Sequence, residues 1–138
     1  MCYTETEQRR KIVNNVEMAN IRKNIRHSLI KVGIRCDLAA FNYLCYAVEL
    51  VVCNPELSLH LCDGVYRRIA EKFAVKNIFC VERSIRSAID ALSNTKGFSS
   101  LNKMFGAELY SEYEKPTSGE FINLMAEYHR IGLYTSSI

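Results

Sequence analysis

At 138 residues the chain has the size of one domain, long enough to bury a core without metal or disulfide staples. Its 49% hydrophobic and 24% charged residues, with eight Tyr, six Phe and no Trp, exclude a disordered chain, and no apolar run approaches the roughly 20 residues of a membrane span. The net charge of +3 is unevenly spread: residues 1–35 carry +5, 36–64 carry −4, 65–107 carry +5 and 108–138 carry −3, a segregation expected of a protein with a basic face.

The N-terminus, Met-Cys-Tyr-Thr-Glu-Thr-Glu-Gln-Arg-Arg, has no apolar stretch, so no secretory signal and a cytoplasmic location are expected. Residues 1–20 read as a polar, basic tail or arm, and 21–138 as the folded domain. Ile21, Ile25, Leu29 and Val32 recur at helical spacing and define a first helix, with Lys31 suited to its C-terminal dipole and Gly33 as its stop. Asp37 is placed to cap a second helix carrying Leu38, Phe41, Leu44, Cys45, Val48, Val51 and Val52. That helix ends before Pro55, and its broad apolar surface predicts a central, buried position.

Leu61, Val65, Ile69 and Phe73 mark a third helix, whose outer face bears Arg67, Arg68, Glu71 and Lys72. After a short break, Ala74-Val75-Lys76-Asn77, Asn77 is placed to cap a fourth helix with the stripe Ile78, Val81, Ile85, Ala88, Ile89 and Leu92. Phe79, Glu82, Arg83, Arg86 and Asp90 point the other way, and the helix is expected to end near Lys96-Gly97 with glycine as the stop. Ser99–Phe105 reads as a short fifth helix closed by Gly106, followed by a linking stretch, Ala107–Lys115, of weak strand character. Thr117-Ser118-Gly119-Glu120 matches a capping box behind Pro116 and opens a last helix buried through Phe121, Leu124, Met125 and Tyr128. The pattern is all-α: a compact six-helix domain containing a helix-turn-helix.

The six cysteines, at 2, 36, 45, 53, 62 and 80, form no Cys-x-x-Cys pair and lie at no zinc-finger distance from a histidine. No metal and no cofactor are expected, and Cys45 and Cys53 read as small hydrophobes on the second helix. His27, His60 and His129 lie on separate segments with no partner at catalytic spacing, and no glycine-rich phosphate loop is present, so an enzyme is not expected.

The third and fourth helices carry the functional signal. Two helices joined by a short turn, the second with a basic outer face, form the arrangement that delivers side chains to base edges in the major groove. Arg83 suits a guanine edge and Glu82 a cytosine amino group, while an exposed Phe79 can meet a thymine methyl. Arg67, Arg68, Lys72, Lys76 and Arg86 suit phosphates, with a lesser share from the basic N-terminal segment. The competing reading of Glu82 and Arg86, at i and i+4, is a surface ion pair.

Residues 81–90, Val-Glu-Arg-Ser-Ile-Arg-Ser-Ala-Ile-Asp, closely resemble Val-Glu-Arg-Ala-Ile-Arg-His-Ala-Ile-Glu, the recognition-helix signature of one family. That family is the C-terminal effector domain of the sporulation-initiation response regulator, stage-zero sporulation protein A. Further resemblances follow in order at Tyr43-Leu44, Ala47 and Val48, at Tyr66, Ile69-Ala70, Lys72 and Phe73, at Phe105-Gly106, and at Lys115-Pro116-Thr117 with Glu120-Phe121-Ile122. They run from about Ile25 to Tyr128. The resemblance implies a six-helix domain that binds double-stranded DNA and regulates transcription, with Glu82 and Arg83 on bases and Arg86 on the same surface. It also implies that the segment of Lys115 and Thr117 starts the last helix, where free N–H groups and Lys115 can hold a phosphate.

The chain departs from the family before Val-Glu-Arg, where Phe79 and Cys80 replace small polar residues and an Arg and the turn reads one residue longer. Arg67 stands for a Pro and Ser87 for a His. The DNA preference is therefore expected to differ from the family's. The family's receiver domain is not expected in 138 residues, so control by phosphorylation of an attached receiver is expected either to be lost or to lie on another protein. The alternative is an interaction module whose helix-turn-helix binds a related regulator instead of DNA, a reading that Phe79 favours. Partners beyond DNA stay open between a homodimer, tandem copies on DNA and a separate regulator protein; no membrane is expected.

Overall fold

A computed structural model describes the backbone of residues 3–94, 97–110 and 115–136 and the side chains of 17–94, 97–110 and 115–131. Six α-helices and no strand occur among the described residues: α1 (Tyr3–Val32), α2 (Ala39–Cys53), α3 (Arg67–Lys72), α4 (Ile78–Asp90), α5 (Gly97–Phe105) and α6 (Ser118–Ser136). The all-α, six-helix expectation holds.

The first helix is much longer than its apolar stripe. Its backbone is helical from Tyr3, where the sequence suggested a tail over 1–20, because no glycine or proline interrupts the chain before Gly33. Gly33, at φ 115°, ends it as expected: Ile34 N–H donates to Leu29 O (3.0 Å) and Gly33 N–H to Ile30 O (3.0 Å). Asp37 does not cap α2. Its carboxylate is held by Arg35 at 2.7 and 3.2 Å, so Leu38 takes the N-cap position without a side-chain bond and is left exposed instead of joining the apolar face.

The α2 helix is the central element, packed against α1, α4 and α6. Phe41, Leu44, Ala47, Val48 and Val51 are fully buried there. Its last turn contains no basic residue, and Arg130 of α6 supplies one, donating to Val51 O at 3.0 Å. Cys53, read as a small hydrophobe, is exposed at the helix end with its thiol on Met18 Sδ (3.7 Å); Cys45 is half-buried.

The third helix opens as a wide π-helical turn, Leu61–Tyr66, before tightening into α3, and Arg67 N–H donates to Cys62 O five residues back. It stops at Ala74 (φ 55°), with Val75 N–H on Ala70 O at 2.8 Å. Asn77 caps α4 as expected, accepting from Phe79 N–H at 2.9 Å. The helix ends at Asp90, earlier than expected, and a 3₁₀ turn, Ala91–Asn94, follows. Gly97 is not a stop but the first residue of α5, buried so tightly that a β-carbon would lie 2.7 Å from Leu92 Cδ2 and 3.0 Å from Val32 O. Lys96 and the 111–114 part of the linking stretch lie outside the described residues. Asn102 pins the described part of that stretch, accepting from Leu109 N–H and Tyr110 N–H and donating to Tyr110 O at 2.8–3.1 Å.

The capping box at α6 forms: Glu120 N–H donates to Thr117 Oγ1 (3.1 Å) and Thr117 N–H to Glu120 Oε2 (3.4 Å). Val81, Ile85, Ile89, Phe41, Leu44, Ile69 and Phe121 share one core, with Phe73 half-buried against it.

Candidate nucleic-acid interface

The strong amphipathicity of α4 separates its two roles. Val81, Ile85, Ala88 and Ile89 are buried. At about 100° per residue, Phe79, Glu82, Arg83, Arg86 and Asp90 span an arc of roughly 100° on the opposite side. Arg83 is exposed and Phe79 is 69% exposed, so both stand free of the domain near the helix start. On the preceding helix and turn, Arg67, Arg68, Lys72 and Lys76 are exposed as well. The Leu61–Lys72 helical stretch, the turn at 73–77 and α4 therefore make a helix-turn-helix whose outer side is cationic.

Four of the expected contact residues, Glu82, Arg86, Lys72 and Thr117, already have partners. Arg86 is paired with Glu82, so the surface ion pair weighed above does form, with the guanidinium side chain still 61% exposed. An exposed pair of this spacing is worth only about 0.3–0.5 kcal/mol, little enough to exchange for a phosphate or a base. Lys72 lies with its ammonium 4.5 Å above the Tyr46 ring.

Arg86 and Glu82 share a cleft with Leu61, Tyr66 and the start of α6 at Thr117 and Gly119. Lys115 is exposed beside it. Within Thr117, however, both the hydroxyl and the N–H serve the capping box. Tyr66 braces this corner; it is buried, and desolvation pushes its phenol up to about 12 against the opposing influence of Ser118. Lys72 lies apart from that corner, in a second cleft lined by Arg22, Arg26, Asn42, Tyr46 and Glu49. Nothing in the sequence signals this grouping, because packing on α2 is what brings α1 and α3 together.

One pairing joins a potential nucleophile and base that the sequence keeps 101 residues apart: Ser28 Oγ and His129 Nε2, 2.8 Å from each other between α1 and α6. Ser28 gives its own proton to Ile25 O (2.8 Å), so it accepts from the imidazole Nε2–H. That is the reverse of the bond a general base makes to its nucleophile. Burial holds His129 down at about 4, so it stays neutral near neutral pH and acts as a helix-to-helix tie.

No group of three or more potential metal ligands occurs among the described residues, and no described helix is long and apolar enough to cross a membrane. The sequence profile of the family described as "Sporulation initiation factor Spo0A C terminal" matches residues 25–129. That span contains the whole helix-turn-helix, its capping asparagine and the capping box of α6. The chain therefore belongs to the Spo0A C-terminal family, a family of DNA-binding domains that regulate transcription in sporulation and not a class of enzymes.

Proposed function

We propose that the chain is a sequence-specific transcriptional regulator whose α4 enters the major groove of duplex DNA. Arg83 and Glu82 read base edges, Phe79 packs against the base at the helix start, and Arg67, Arg68, Lys72, Lys76 and Arg86 hold the phosphates on either side. Lys115 and the start of α6 add a phosphate contact next to Arg86. The observation that carries this reading is the face of α4: Phe79, Glu82, Arg83, Arg86 and Asp90 fall within one arc away from the buried stripe, with Arg83 exposed one turn into the helix. The Glu82–Arg86 pair opens on binding at little cost.

Phe79 supports a second reading, in which the same face binds a related regulator. An aromatic side chain left 69% exposed at a helix start suits a protein surface as well as a thymine methyl. Selection from random duplexes separates the two. The DNA reading expects an enriched motif for the wild type and a different one for Cys80→Arg, which restores a cation at the start of α4. An absence of any enriched motif, together with loss of a partner protein on Phe79→Ala, supports the interaction module instead.

A further inference from the structure

We infer that α1 provides a second row of phosphate contacts, through Arg22 and Arg26, and so extends the DNA footprint from α3 around the flank of the domain. The inference rests on the DNA reading of α3 and α4. Arg22, Arg26 and Lys72 line one cleft, although they come from two helices that are 46 or more positions apart in sequence. Each cation is oriented by α2. Arg22 Nε donates to Glu49 Oε1 at 2.8 Å, Arg26 Nη1 donates to Asn42 Oδ1 at 3.3 Å with its guanidinium 4.9 Å above the Phe41 ring, and Lys72 lies over Tyr46.

These bonds hold the side chains without using them up. Arg22 employs Nε only and Arg26 one terminal nitrogen, so both keep paired N–H donors for a phosphate oxygen, and the Arg22 side chain is 60% exposed. Being one turn apart, the two arginines stand about 6 Å from each other at the base of their side chains. That spacing suits successive phosphates along one strand. Preorganisation by α2 lowers the entropy lost when the long side chains are fixed on DNA. Glu49 is the one acid in the cleft, so the group of four side chains Arg22, Arg26, Lys72 and Glu49 carries a net positive charge.

The test is a titration of a long random-sequence duplex at several salt concentrations, because phosphate contacts need no particular sequence. Arg22→Gln/Arg26→Gln is expected to lower the slope of log affinity against log salt by about 2 and to weaken binding roughly tenfold at moderate salt. Arg22→Lys/Arg26→Lys is expected to keep most of the slope, and Glu49→Gln to strengthen binding, neither of which follows from a purely structural role for the arginines. If the Gln pair leaves the slope unchanged while Arg68→Gln lowers it, α1 lies outside the footprint and this inference fails while the proposed function stands. A wild-type chain with no salt-dependent binding to any duplex overturns both.

Discussion

Ala74 occupies the turn of the helix-turn-helix at φ 55°, a conformation that costs an L-residue about 1–2 kcal/mol and glycine almost nothing. Part of the gain from glycine is offset by its greater freedom in the unfolded chain, so Ala74→Gly is expected to stabilise by about 0.5–1 kcal/mol, read as a higher denaturant midpoint with unchanged slope. His129 makes stability depend on pH. Its imidazole, held at about 4, takes up a proton later than the same residue in the unfolded chain near 6.5. As pH falls from 6.5 toward 4 the unfolded state is protonated first, so stability present above 6.5 is lost across that window. The charged or titratable neighbours lining the same cavity, His27 and Lys31 of α1 and Tyr128 of α6, offer no anion to offset the new charge. His129→Gln, which keeps a donor for Ser28, is expected to flatten the dependence in thermal melts at pH 4.5–7. Single caps were readable from sequence where only one partner competes, as at Asn77 and Thr117. Asp37 was not, since Arg35 two residues away takes its carboxylate.

At the scale of elements, periodicity located every helix but not every boundary. The stripe of α4 continues through Leu92 because the 3₁₀ turn after Asp90 keeps Leu92 facing the core. Gly97 then looks like a stop, whereas its lack of a side chain serves the close approach of α5 to Leu92 and to the end of α1. Gly97→Ala is expected to cost about 1–3 kcal/mol, since both Leu92 and the Val32 carbonyl must move, and a chemical-denaturation series checks it. The π-helical turn before α3 was equally hidden: a four-residue step of Leu61, Val65, Ile69 and Phe73 is compatible with either winding, and the five-residue backbone bonds from Val65 to His60 and from Arg67 to Cys62 distinguish them. Much of the outward face of α4 was legible because its positions follow from the buried stripe: Phe79, Arg83, Arg86 and Asp90 are exposed, while Glu82 is half-buried.

For the whole molecule, the segregated charge marked residues 65–107 as basic, and the exposed Arg67, Arg68, Lys72 and Lys76 bear this out as a surface. What the sequence hid is how that surface continues, since the junction of Lys72 with Arg22 and Arg26 exists only once α2 is packed between them. Arg68→Gln/Lys72→Gln is expected to weaken binding alike on all duplexes and to reduce the salt slope by about 2, checked by anisotropy titration. In the proposed function, sequence discrimination belongs to α4 instead. The most direct measurement compares the affinities of wild type and Arg83→Ala for the selected duplex and for random duplex at one salt concentration. A loss of about 1–3 kcal/mol on the selected duplex with a much smaller loss on random DNA is the predicted result. Equal losses on both duplexes, or none on either, would contradict a base-reading α4.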